Sequence, residues 1–216
     1  MAFENNPISL ALFLGSLSLM PLLFITTTAF LKIAMVLMIV RNALGVQQVP
    51  PSMAIYSIAL AATLFVMAPV FTNIQEGFTQ YGGWEVGRRD LSDTMNLIVG
   101  PMSTFMAQNV DANIQHSLLN TAKEMWPESM AEKLGKDNLF VLIPSFVISE
   151  LQAGFKIGFL IYIPFVVIDL IVSNILLALG MQMVAPITVT VPIKILLFVL
   201  VDGWSQLLEG LIYSYI

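Results

Sequence analysis

The chain has 216 residues, of which 57% are hydrophobic and 11% are charged. Soluble domains carry about a quarter charged residues, so this composition excludes an ordinary soluble domain and indicates an integral membrane or membrane-complex protein. The net charge of −5 without a basic cluster argues against binding nucleic acid, and the absence of cysteine excludes disulfides, thiolate metal sites and cysteine nucleophiles.

The first apolar segment runs from Ile8 to Val40, with Lys32 as its one charge. As a straight helix it would measure about 50 Å, against about 30 Å for the hydrocarbon core of a bilayer. We therefore expect either that Pro21 breaks the segment or that part of it leaves the bilayer. The start of the chain lacks the positive region of a secretory signal peptide, so the segment should stay in the mature protein.

A second uncharged span follows from Met53 to Phe71, and it is long enough to cross a bilayer. The connecting loop, from Arg41 to Pro51, contains Gly45 and a pair of prolines, which favour turns. The two spans together predict an apolar helical hairpin.

Residues 73–138 differ from the apolar spans, because they hold 14 of the 23 charged residues and the only histidine. This charge density predicts a water-exposed insert. Apolar residues recur at helical spacing between Met95 and Met106, where we expect Pro101 to interrupt or kink the helix, and Asp111 is placed to cap a following helix. We expect two or three amphipathic helices in this insert.

A second long apolar region closes the chain. Its first arm, Leu139 to Leu179, would be about 62 Å long as a helix, so we expect Pro144 and Pro164 to divide it. Its second arm runs from Val184 to Ile216. The predicted organisation is an N-terminal apolar hairpin at 1–72, a polar helical insert at 73–138, and a C-terminal apolar hairpin at 139–216 with its tip turn at 180–186.

The tip of this second hairpin carries Met181, Gln182 and Met183. Gly180 can take a left-handed helix end and Pro186 cannot continue a helix from its N-terminal side, so the chain should reverse here. Methionine is flexible and polarisable, so two of them at a tip could form a soft contact surface or a seal. They could also be ordinary lipid-facing or core residues, and the segment alone leaves both interpretations open.

Ionisable residues within the apolar arms are costly at membrane depth unless they are paired or wetted. On one straight helix neither Glu150 nor Asp169 points toward Lys156, so the charges must be matched across helices, across subunits or by water. The preferred pair is Glu150 with Lys194, one from each arm, although the groups could instead reach an aqueous interface. The residues concerned are Glu150, Lys156, Asp169, Lys194, Asp202 and Glu209.

Two glycines mark a helix-packing surface. Gly154 and Gly158 form a small-xxx-small face of the kind that lets apolar helices approach closely. Together with unpaired charges in the same segment, this face favours an oligomer.

The sequence offers little for catalysis. An intramembrane protease would need an Asp pair, a Ser/His arrangement or His and Glu metal ligands in the spans, whereas His116 lies in the polar insert. Phosphate-loop and dinucleotide-binding motifs are absent from the sequence. We expect neither enzyme activity nor a cofactor or metal.

Several uncommon strings occur in a recognisable order. They are Arg41-Asn42-Ala43-Leu44-Gly45 with Gln47-Gln48-Val49-Pro50, Phe155-Lys156-Ile157-Gly158-Phe159 with Pro164-Phe165 and Asp169-Leu170, Leu177-Ala178-Leu179-Gly180-Met181, and Pro192-Ile193-Lys194 with Phe198-Val199-Leu200-Val201-Asp202-Gly203-Trp204. In these strings the chain resembles the FliP/SctR family of type III secretion export gates, from Pro21 to about Trp204. The missing signal peptide is more similar to the virulence-type members than to the flagellar ones.

This resemblance implies an all-α subunit of a protein-conducting pore in the bacterial inner membrane. Five copies are expected to assemble with one related subunit, several small hairpin subunits and the switch subunit into a closed helical channel for unfolded secreted polypeptides. Much of the assembly, including the polar insert, is expected on the periplasmic side. In the family a run of methionines lines a constriction. Here the run reads Met181-Gln182-Met183, so its middle position departs from the pattern.

Two other functions remain open from the residues. A secondary transporter or ion-channel subunit would use Glu150, Lys156 and Asp169 as a coupling site. A non-transporting scaffold would tolerate changes at the hairpin tip. Charge bias does not decide the topology, because the positive-inside rule has little force for a long polar segment.

Overall fold

The computed structural model describes residues 7–46, 49–80, 91–132 and 134–216. Within these ranges the chain is all-α, as predicted, and contains no strand. The helices are α1 (Pro7–Ser18), α2 (Met20–Thr27), α3 (Phe30–Ala43), α4 (Ser52–Gln80), α5 (Leu91–Asn109), α6 (Ala112–Met125), α7 (Glu128–Ala131), α8 (Leu139–Ala178), α9 (Ile187–Leu200) and α10 (Gly203–Tyr213).

The first apolar segment is broken twice. Pro21 lies in the first turn of α2, where a backbone N–H has no partner within the helix and a proline is tolerated. A second break, which was not predicted, is a 78° bend between α2 and α3. At this bend the Thr28 hydroxyl donates to the Phe24 carbonyl (2.7 Å) and accepts from the Phe30 amide (3.4 Å). The side chain of Thr28 thereby supplies partners to backbone groups on both sides of the bend.

The first arm of the C-terminal hairpin is one uninterrupted helix, so the prediction that Pro144 and Pro164 divide it is wrong. The 40 residues of α8 span about 60 Å. Each proline removes one backbone hydrogen bond, whereas a break in apolar surroundings would leave several N–H and C=O groups without partners. A continuous helix is therefore the less costly solution.

The tip and the second arm use two left-handed residues. Gly180 ends α8 with a φ of 71°, as expected, and Pro186 directly precedes α9. Between α9 and α10 the chain bends by 63° at Asp202, whose φ is 52°. The following Gly203 lies against the Phe198 ring, which leaves no room for a Cβ atom. The bend thus depends on a glycine that can approach the aromatic ring closely.

α3 lies at the centre of the fold, in contact with both α4 and α8. This short helix can be buried on several sides because it is apolar around most of its circumference. Its fully buried side chains are Ile33, Val36, Leu37 and Val40, and they share a core with Ile55, Ala59 and Met67 of α4 and with Leu142 and Phe146 of α8. The N-terminal and C-terminal apolar segments therefore form one common core.

The polar insert packs against the start of α8. Asp111 caps α6 as predicted, because its carboxylate accepts from the amides of Asn113 (2.8 Å) and Ile114 (3.3 Å). α5 continues through Pro101 without a break. A small cluster of Leu119, Ala122 and Val141 joins α6 to α8.

By length and composition, α4 and α8 could each cross a membrane. The bent pairs α2–α3 and α9–α10 meet the same criteria if each pair counts as one span. The described residues therefore contain between two and four candidate membrane spans.

Candidate functional site

The tip of the C-terminal hairpin extends away from the core. Met183 is fully exposed, Met181 is 44% exposed, and Gln182 is also exposed. In a single chain all three side chains are therefore accessible to other molecules.

The two arms behind the tip present a broad apolar surface. Such a surface exceeds what a monomer in water exposes, so it must be covered by lipid or protein. Its large exposed side chains include Phe155, Phe159, Leu160, Leu170, Ile171, Ile175 and Leu177 of α8 and Leu196, Val199 and Leu200 of α9.

The first buried ion pair joins α3 to α8. The Lys32 ammonium lies 3.2 Å from Glu150 Oε1, and both side chains are almost completely buried. The Tyr215 hydroxyl donates to Glu150 Oε2 and lies 3.2 Å from the Ala29 carbonyl. The Lys32 ammonium also lies 3.5 Å from the centre of the Tyr215 ring, within range of a cation–π interaction. Lys32, Glu150 and Tyr215 thus form a compact polar cluster in the apolar core.

A second pair joins α9 to α8. The Lys194 ammonium donates to Asp169 Oδ2 (2.6 Å) and to the Ala43 carbonyl at the end of α3 (3.0 Å). The Lys194 side chain is 4% exposed and that of Asp169 is 45% exposed. The acidic partner of this pair is therefore partly accessible at the surface of the single chain.

These contacts correct the pairing preferred from the sequence. Within one chain Glu150 contacts Lys32, and Lys194 contacts Asp169, so Glu150 and Lys194 do not meet. Sequence reasoning missed Lys32 as a partner, although a single charge within an apolar segment was a usable signal. A Glu150–Lys194 pair between copies stays a prediction, and it would require both intrachain pairs to exchange partners.

Lys156, Asp202 and Glu209 are exposed. Among the described residues, none of them has an oppositely charged partner within 4 Å. Within one chain the transporter coupling site is not assembled, because Lys156 and Asp169 lie 13 residues apart on α8, about 20 Å along the helix. Glu150 and Lys156 border a common cavity with a volume of about 430 Å³, and Asp169 is not among its lining residues.

The two packing glycines face α3 of the same chain. A Cβ atom at Gly154 would collide with the Met35 methyl group, and one at Gly158 would lie 2.5–3.2 Å from Ile39. This small-residue face is therefore occupied within the chain, so it does not by itself indicate an oligomer.

In the ranges that the structure describes, no three His, Asp or Glu side chains are gathered as metal ligands. The site consists instead of an exposed tip, an apolar surface and buried charges. These features define a class, namely an integral membrane protein of several helices whose core contains ion pairs. The chain belongs to the FliP family, whose model matches residues 13–211.

Three relatives illustrate this membership. The chain is 59% identical over 213 residues to the harpin secretion protein HrcR of Erwinia amylovora, covering 99% of this chain and 98% of the relative. It is 44% identical to the Yop proteins translocation protein R of Yersinia pestis, over 97% of each chain. It is 40% identical to the virulence protein YscR of Salmonella typhimurium over the full length of both. The family predicted from the sequence strings, with its virulence-type branch, is confirmed.

The Lys194–Asp169 pair should contribute to stability. We expect Asp169→Ala to lower the free energy of unfolding of the detergent-solubilised subunit by about 1–3 kcal/mol, because the buried Lys194 ammonium keeps the Ala43 carbonyl but loses its charged partner. Denaturant titration measures this loss. Glu209→Ala removes an exposed carboxylate without a nearby cation and should change stability by less than about 0.5 kcal/mol. Equal losses in the two variants would contradict a stabilising Lys194–Asp169 pair.

Proposed function

We propose that this chain is a structural and gating subunit of a type III secretion export channel, and that several copies form its protein-conducting pore in the bacterial inner membrane. The observation that carries the proposal is the exposed methionine tip at the end of two arms with apolar outer surfaces. A surface of this kind fits contacts between subunits in a membrane assembly. The names of the relatives, which refer to secretion and translocation, support the same role.

The chemistry of the tip suits a gate for unfolded polypeptide. Methionine side chains adapt their shape and contact many partners through dispersion, so a ring of them can close around an extended chain without requiring one sequence. Gln182 adds a polar group to each copy. If it faces the pore the constriction is partly polar, and if it faces outward Met181 and Met183 form the seal.

The expected assembly follows the family resemblance. Five copies would combine with one related subunit, several small hairpin subunits and the switch subunit, with much of the complex on the periplasmic side. In this role the chain makes and breaks no covalent bond and binds no cofactor. Its partners would supply the energy for export.

The seal is tested by changing both methionines. We expect Met181→Ala combined with Met183→Ala to make cells that express the whole apparatus permeable to small ions, because two side chains each lose three heavy atoms at the proposed constriction in every copy. The measurement is ion flux across the inner membrane. The matched control is Met125→Ala with Met130→Ala, which shortens two exposed methionines of the polar insert. A tight membrane together with normal secretion in the tip variant would show that the tip is not the seal.

A further inference from the structure

Not all charges of the apolar segments are paired within one chain. The Lys32–Glu150 and Lys194–Asp169 pairs account for two cations and two carboxylates. Arg41, near the end of α3, donates to the Ser52 hydroxyl (3.0 Å). Among the described residues, Lys156, Asp202 and Glu209 have no oppositely charged neighbour within 4 Å.

Lys156 is exposed where an anion would be favourable. It lies on α8 between Phe155 and Phe159, whose side chains are more than half exposed. It also borders the 430 Å³ polar cavity. Of the other charged groups that border the cavity, Lys32 and Glu150 pair with each other, and the Asp111 carboxylate accepts from the Asn113 amide at the start of α6. Among the described residues, the ammonium of Lys156 therefore has no carboxylate within 4 Å.

Glu209 is close along the chain to a residue that borders the same cavity. Ser214 borders the cavity together with Lys156, and Glu209 precedes it by five residues, about 7.5 Å along a helix. Glu209 points outward from α10, since Leu207 and Leu211 on that helix are buried. The other free carboxylate, Asp202, lies about 10 Å further along the chain and accepts from the Ser205 hydroxyl (3.2 Å).

We infer that Lys156 of one copy pairs with Glu209 of the adjacent copy. This inference rests on the proposed function only in requiring that copies of the chain assemble. A head-to-tail interface joins two different surfaces of the same chain and generates rings or helices. The cationic surface on α8 and the anionic surface on α10 are complementary in this way. Burial among the surrounding apolar side chains would strengthen the pair and set the register of neighbouring copies.

The sharpest test uses the absence of cysteine from the chain. One tagged copy carries Lys156→Cys and a differently tagged copy carries Glu209→Cys, and both are co-expressed with the other apparatus subunits. A short bismaleimide is the suitable reagent, because a direct disulfide needs Cα atoms within about 7 Å, closer than a Lys–Glu pair requires. We expect a crosslinked dimer that contains both tags. The matched control replaces Glu209→Cys by Asp202→Cys, which should give several-fold less dimer.

Charge reversal provides the second readout. We expect Lys156→Glu or Glu209→Lys alone to shift the detergent-extracted chain from the oligomer to smaller species by native mass. The double reversal should restore most of the oligomer.

The outcomes separate this inference from the proposed function. If the oligomer forms but crosslinking favours Asp202, joins Lys156 to a different protein, or gives no dimer, the Lys156–Glu209 pair is wrong while the pore proposal stands. The same holds if the double reversal is no better than the single ones. If the wild-type chain never exceeds the mass of a monomer, both proposals fail. If the crosslink forms but the methionine variant does not leak, the Lys156–Glu209 interface is supported and the proposal that Met181 and Met183 form the seal is wrong.

Discussion

Glu150→Ala is expected to lower the free energy of unfolding of the detergent-solubilised subunit by about 3–5 kcal/mol, the loss typical of a buried ion pair that has lost one partner. The variant leaves the Lys32 ammonium buried without its carboxylate, and it also removes the carboxylate acceptor of the Tyr215 hydroxyl, which keeps only the Ala29 carbonyl. Both partners of Glu150 belong to the same chain. The effect should therefore appear in the isolated subunit as well as in any assembly, and denaturant titration in detergent measures it.

The control is the apolar double variant Lys32→Met with Glu150→Leu. It removes both charges while keeping similar side-chain volumes, so we expect it to recover most of the stability lost in Glu150→Ala. The coupling energy between the two positions follows from the cycle of single and double variants. A double variant as unstable as Glu150→Ala alone would show that the stability loss does not come from an unpaired Lys32.

Local features of the fold were predictable from the sequence. Gly180 ended a helix, Asp111 capped one, and Pro21 lay at a break, because each effect depends on a few neighbouring backbone groups. The bend at Thr28 was missed because the sequence does not distinguish a threonine whose hydroxyl bonds to both sides of a bend from any other threonine in an apolar segment. The continuity of α8 was missed because the cost of its prolines depends on the apolar surroundings of the whole helix.

Charge partners were the least predictable part of the site. Helical spacing excluded pairs along α8, but it could not show which helix faces Glu150. The answer depends on the bend between α2 and α3, which directs α3 across α8 and brings Lys32 to Glu150 from 118 positions away in the chain. Tyr215 is further still from Lys32 in the sequence, and nothing in its neighbourhood marked it as a partner.

The close approach of α3 to α8 should be sensitive to one methyl group. We expect Gly158→Ala to lower the free energy of unfolding by about 1–3 kcal/mol, the usual effect of overpacking a filled core. The added Cβ atom would lie 2.5 Å from Ile39 Cδ1 and 3.1–3.2 Å from Ile39 Cγ2 and Cβ. The Cδ1 methyl can turn away about χ2, but Cγ2 and Cβ are held by the branch at Cβ and the restricted χ1, so relieving their contacts requires α3 to shift by a few tenths of an ångström.

Gly154→Ala is the informative comparison, because its new Cβ would collide with the terminal methyl group of Met35, which can move to another rotamer. We expect a smaller loss there than at Gly158. Gly210→Ala is the control, since a Cβ atom at Gly210 meets nothing within 4 Å and alanine favours the helix. A loss at Gly158 no larger than at Gly210 would contradict close packing of α3 on α8. Gly158 lies about two helical turns from Glu150 on α8. If Gly158→Ala lowers the free energy of unfolding and also weakens the coupling energy between Lys32 and Glu150, the glycine face positions the buried ion pair.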